Sequence, residues 1–295
     1  MTLLNHLSND KQKQNYLFIL VAAALLYGIV HMGGFFVPES DFFDFRDKAI
    51  AFRNLELPEN IKRMPLYSIC IALVSLLLPV AERELYAAGV INLAACLFSL
   101  FFIFQISRNY FGKFAFFIAW LFAINPLTNM LVTAPKSEML TLVFVTGAFY
   151  FHLKKSHLCY FFAALASLTR YEGALLIPAF FLHDLFEYRK LRLKSLFYSL
   201  FAASGVGFWI YLNSQNTGSI NPYGFYFKTN MTFIPHKFLS VLFGNLAILP
   251  YASLTKYAVI CLSVLSFVGC GYLWFQFKNR SIAIILFYFA YIIFH

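Results

Sequence analysis

Eight of the thirteen Asp and Glu residues lie between positions 39 and 84: Glu39, Asp41, Asp44, Asp47, Glu56, Glu59, Glu82 and Glu84. The others are Asp10, Glu138, Glu172, Asp184 and Glu187. Acid chemistry is expected to draw on that one segment plus Glu138 or Glu172, since Asp10 and Glu187 read as cytoplasmic. The segment opens with "VPESDFFDFRDKAIAFRN", Val37 to Asn54. Within it Phe42, Phe45, Ala49 and Phe52 recur at helical spacing. That spacing predicts an amphipathic helix whose apolar stripe dips into a membrane interface. Asp41, Asp44 and Lys48 fall on a neighbouring face. Asp41 is the right residue type for a helix N-cap, with Asp44 three residues on as in a capping box. Its other reading is a carboxylate aimed at a site beside the membrane, and spacing alone favours the cap. Glu138 divides evenly between a helix-start carboxylate that suits the dipole and a site residue. Arg170 and Glu172, in "LTRYEG" (Leu168 to Gly173), are costly near a membrane unless paired or functional. A structural pair pinning a short hairpin is the expected role.

The elements that must position these groups follow from composition. The chain is 61% hydrophobic and 12% charged, with a mean hydropathy of +0.70. Soluble domains carry about 25% charge, so the composition predicts an all-α, polytopic transmembrane helical bundle. Expected spans are 16–37, 86–106, 114–133, 139–153, 158–170, 173–187, 195–212, 257–277 and 281–295, about nine in all. The pair 158–170 and 173–187 is short for two full crossings. The apolar runs 66–79 and 238–254 are expected to lie on the surface. With that choice Lys11/Lys13, Arg108/Lys113, Lys154/Lys155, "YRKLRLK" (Tyr188 to Lys194) and Lys278/Arg280 all face the cytoplasm, as the positive-inside rule requires. The long first loop, 38–85, the turn "APKSE" (Ala134 to Glu138) and the polar stretch Asn213 to Lys237 then face outward. The net charge of +10 sets orientation and implies no nucleic-acid partner. Cys70, Cys96, Cys159, Cys261 and Cys270 lie in or beside apolar runs and show no metal spacing. His31, His152, His157 and His183 read as packed or interfacial, and His236 as an outer-side residue. No metal motif is expected.

The ordered set of motifs resembles a known family. A first span is followed by a loop with Asp41, Phe45 and Ala49 in a D-x-x-x-aromatic-x-x-x-A pattern. Then come "RMPLY" (Arg63 to Tyr67), Asn125-Pro126, "KSEML" (Lys136 to Leu140) and "LTRYEGALLIP" (Leu168 to Pro178). This order resembles the GT-C polytopic glycosyltransferases, in the branch of the protein O-mannosyltransferases and lipid A aminoarabinose transferases. The resemblance implies a multi-pass protein of the bacterial inner membrane, its site facing the periplasm or exterior. It implies a hexosyl or pentosyl transferase. A sugar would pass from a polyprenyl-phosphate carrier to a glycan, lipid or protein acceptor, with inversion. Asp41 maps to the family's general base and Glu138 to its second acid. Asp44, Lys62, Arg63, Lys136, Arg170 and Glu172 are the substrate-side candidates, the cations holding the lipid phosphate. Attraction to anionic headgroups of membrane lipids competes as a role for Lys62 and Arg63, as a solvated turn does for Lys136. No cofactor is implied, although a carboxylate-rich loop could hold Mg²⁺ or Mn²⁺. Phe45 stands where the family has a tyrosine-like residue, and Met64-Pro65 where it has two prolines. His295 stands where relatives continue into a further loop, so a single domain over 1–295 that is C-terminally truncated is expected. The competing classes are a polytopic transporter or lipid flippase and an inactive scaffold or fragment.

Overall fold

The computed structural model describes residues 40–58, 62–189 and 192–217. The spans expected at 16–37, 257–277 and 281–295 and the surface helix at 238–254 lie outside the described residues. So do Glu39, Glu59, His31, His236 and His295. Every regular element among the described residues is helical. In order they are α1 (Ser40–Arg53), α2 (Leu66–Ser75), α3 (Arg83–Phe111), α4 (Ala115–Ile124), α5 (Pro126–Thr133), α6 (Glu138–Leu153), α7 (Leu158–Thr169), α8 (Leu176–Tyr188) and α9 (Leu193–Thr217). Short 3₁₀ turns at Gly112–Phe114 and Tyr171–Leu175 precede α4 and α8. The described residues form two compact units. One holds 40–58 and 66–150; the other holds 62–65, 151–189 and 192–217.

In the first unit α1 lies on α2, α2 on α3, and α3 on α4 and α5. The apolar stripe of α1 is buried: Phe42, Phe45 and Ala49 are each 3% exposed or less. It covers protein, where an interface-dipping stripe was expected. Phe45 meets the Tyr67 ring edge-on, with centroids 5.0 Å apart. Helix α1 begins at Ser40, so Asp41 lies inside its first turn instead of capping it. Its carboxylate still suits the positive end of the dipole there. Lys48, expected beside the stripe, is 1% exposed, and its Nζ is 3.4 Å from Asp44 Oδ2 one turn back. The buried face is thus wider than the apolar residues alone.

Helix α2 has ten residues. At about 1.5 Å per residue it falls well short of the roughly 30 Å of hydrocarbon. The stretch expected as one span over 114–133 is broken. Asn125 is extended, at φ −64° and ψ 127°, because the ring of Pro126 disfavours helical geometry in the residue before it. Pro126 then opens α5, where its missing N–H costs nothing. Arg53 at the end of α1 pairs with Glu84 at the start of α3, and both side chains are mostly buried (16% and 12% exposed). Arg83 reaches the same carboxylate at 3.3 Å. Glu84→Gln is expected to destabilise this unit by roughly 3 kcal/mol, the loss of one partner from a largely buried pair. Thermal unfolding in detergent checks it, and an unchanged transition would show that the pair contributes nothing to stability.

The second unit packs α7 against the Tyr171–Leu175 turn and α8, and α9 against α7 and α8. Helices α7 and α8 have 12 and 13 residues, each short of a bilayer crossing. Helix α9 runs through Thr217, five residues into the stretch expected as a polar loop from Asn213. Asn213 is fully buried, so that turn is held by packing. Among the described residues two helices, Arg83–Phe111 and Leu193–Asn216, are long and apolar enough to cross a membrane. Only 22% of the most apolar stretch of the second is buried. Phe197, Phe201 and Phe208 are exposed along it.

Candidate functional site

The first unit carries the acids. Glu138 opens α6 just after a tight turn in which the Lys136 N–H donates to the Ala134 carbonyl at 2.7 Å. Beneath that turn lies a buried polar chain. The Tyr67 hydroxyl donates to Asn92 Oδ1 at 3.2 Å, and Asn92 Nδ2 donates to the Ala134 carbonyl at 2.6 Å. Tyr67 and Asn92 are both fully buried. Burial pushes the Tyr67 phenol well above its usual range, with the Asn92 hydrogen bond working against that and the Glu138 charge adding to it. The phenol therefore stays protonated and serves as a donor. Phe45 packs on the same ring one helical turn beyond Asp41. Asp41, Lys136 and Glu138 are thus tied through short local steps to one Tyr67–Asn92 core. Asp44 is tied to Lys48 instead.

The second unit carries a basic strap. Residues 62–65 are pinned by two side-chain donors: Tyr171 Oη to the Lys62 carbonyl at 2.8 Å, and Trp209 Nε1 to the Arg63 carbonyl at 3.1 Å. Met64 and Pro65, the second half of the strap, are buried. Pinning the backbone fixes where the Lys62 and Arg63 side chains start; Lys62 is exposed and Arg63 half-buried. Next to Tyr171, Arg170 Nε and Nη2 each lie 3.3 Å from a different Glu172 oxygen. That fork is the pairing expected to pin the hairpin. Four candidate residues (Lys62, Arg63, Arg170 and Glu172) therefore belong to the second unit, the first two linked to the hairpin tip through the Tyr171 hydroxyl. The other four, Asp41, Asp44, Lys136 and Glu138, belong to the first unit.

Gly173 makes the close approach that this hairpin tip needs. A Cβ there would stand 2.4 Å from the carbonyl carbon and oxygen of Ala166. The 3₁₀ turn therefore rests directly on the backbone of α7, which holds Arg170, Tyr171 and Glu172 at the hairpin tip.

Sequence reasoning passes over Tyr67, Asn92, Tyr171 and Trp209 as site residues. Asn92 has a signal of its own, a polar amide within an apolar span. Among the described residues, donors at metal-binding separation occur at His152, His183 and Asp184. Comparison with protein-family models, with curated proteins and with solved structures finds no match to this chain.

Proposed function

We propose that this chain is a multi-pass membrane glycosyltransferase of the GT-C type, with about nine spans, acting at the outer face of a bacterial inner membrane. It would move a hexose or pentose from a polyprenyl-phosphate carrier to a glycan, lipid or protein acceptor. The observation that carries the reading is the pinned strap, whose Lys62 carbonyl is held by Tyr171, the residue between Arg170 and Glu172. A lipid phosphate needs several cations, and a backbone held by Tyr171 and Trp209 fixes where two of them start. The uncovered aromatic face of α9 supports a lipid setting.

In the proposed step Asp41 takes the proton from an acceptor hydroxyl. The acceptor oxygen bonds to the anomeric carbon as the bond to the carrier phosphate breaks, inverting that carbon. The phosphate leaves with its electron pair, and Arg63, Lys62 and Arg170 offset its charge. Glu138 would orient the acceptor from its place above Tyr67.

The test is the mass profile of surface glycans and lipid-linked sugars in a deletion strain, with and without the wild-type gene. Restoration of one sugar increment supports the reading and names the sugar class, and an unchanged profile sinks it. In membranes, Arg63→Gln is expected to raise the KM for the lipid-phosphate sugar about 10- to 100-fold, the loss of one charge-assisted hydrogen bond. A KM within twofold of wild type would place Arg63 outside the donor site.

A further inference from the structure

We propose that His152, His183 and Asp184 bind one divalent transition-metal ion of the zinc class, at a site separate from the proposed sugar transfer. His152 Nε2 lies 3.0 Å from His183 Nδ1. One donor atom from each of the three residues lies within 4.8 Å of the others. Two nitrogens that each bind zinc at about 2.0–2.1 Å sit roughly 3.0–3.4 Å apart. The imidazole pair already has that separation. One N–H now bridges the two rings. On metal binding that proton moves to the far nitrogen of its own ring, and both facing nitrogens offer lone pairs.

The surroundings are built around these donors. The His152 ring stacks on Phe180 at 4.5 Å, and His183 is 5% exposed. Asp184 Oδ2 accepts from Tyr160 Oη at 3.0 Å and Ser195 Oγ at 2.7 Å. Those two donors are each 1% exposed and stand on α7 and α9. Hydrogen bonds of this kind orient metal-binding carboxylates. Glu187 Oε2 lies 3.8 Å from His183 Nδ1, and its other oxygen holds Lys155 Nζ at 2.7 Å. Glu187 can thus supply a fourth ligand while offsetting the nearby cation. Two imidazoles and a carboxylate favour zinc over Mg²⁺ or Ca²⁺, which prefer all-oxygen sites. The ion would tie the end of α6 to α8, with α7 and α9 joined through Tyr160 and Ser195.

The test uses the full chain, purified without a histidine tag, stripped with a chelator and titrated with Co²⁺, Zn²⁺ and Mg²⁺. One equivalent of Co²⁺ is expected to give visible ligand-field bands that Zn²⁺ abolishes. Zn²⁺ should also raise the thermal transition. His152→Gln and His183→Gln should each weaken binding roughly 100-fold or more, and Ser195→Ala about 10- to 100-fold. His157→Gln, which alters a ring stacked on Tyr198, should leave affinity unchanged. No saturable Co²⁺ binding by the folded wild type overturns the proposal. So does binding that His152→Gln, His183→Gln and Ser195→Ala leave intact, or Mg²⁺ affinity equal to that for Zn²⁺.

Discussion

Asp41→Asn is expected to lower sugar transfer by about 10²- to 10⁴-fold, the usual contribution of a positioned general base. Asn keeps the shape of Asp but cannot take a proton. The loss should therefore fall on kcat, with the KM for the lipid-linked donor unchanged, because the substitution leaves the cations assigned to the phosphate intact. Stability should barely move, since Asp41 lies in the first turn of α1 and a buried stripe holds the helix down. Asp47→Asn supplies the control. That carboxylate is 66% exposed and pairs with its neighbour Arg46, a contact worth little in water. It should retain wild-type activity. Asp44→Asn should separate from both, lowering the unfolding temperature by removing one carboxylate from beside the buried Lys48. The measurement is initial rate against donor concentration in membranes at matched expression. Asp41→Asn with wild-type kcat would reduce Asp41 to a helix-start carboxylate and remove the proposed mechanism.

The local parts of this architecture are legible because they are written in local spacing. The stripe of Phe42, Phe45 and Ala49 announces a helix with one apolar face. It cannot say whether lipid or protein covers that face, since both reward burial of the same side chains. Here protein covers it: α1 lies on α2, and Phe45 meets Tyr67. Lys48 illustrates a second limit. Its charge argues for solvent, but Asp44 one turn back and the width of the contact bury it. The break at Asn125-Pro126 follows from proline sterics and is implicit in that dipeptide. Hydropathy averages across the same stretch, and for that reason it reads as one span. The polar run from Asn213 reads as loop, yet α9 continues because Asn213 is packed.

The strap and the histidine pair are beyond the reach of sequence for another reason. Tyr171 and Trp209 act on residues 109 and 146 positions away, and His152 and His183 are 31 apart on different helices. No period or motif links such positions. They come together only when the helices between them pack. The candidate site is therefore legible as a set of residue types, while the groups that hold it in place are not.

Gly173→Ala tests that packing most severely. A Cβ at this position would lie 2.4 Å from the carbonyl carbon and oxygen of Ala166 and 2.7 Å from the amide nitrogen of Ser167. These are backbone atoms of α7, so no rotamer change relieves the clash. Trimming Ala166 to glycine would not help either. The 3₁₀ turn must lift off the helix, carrying Arg170, Tyr171 and Glu172 with it. A cost of about 4 kcal/mol or more is expected, in the range reserved for clashes within a packed core. Gly207→Ala is the matched control. Its Cβ would meet nothing within 4 Å, so alanine in the middle of α9 should be neutral or stabilise by about 0.4–1 kcal/mol. Thermal unfolding of both variants in the same detergent separates them. A second readout ties the result to function. Lifting Tyr171 breaks its hydrogen bond to the Lys62 carbonyl, so any surviving Gly173→Ala protein should hold the lipid-phosphate donor more weakly. If Gly173→Ala unfolds with the wild type and keeps its donor KM, the turn does not rest on α7. The strap would then lose its anchor as an explanation for phosphate binding.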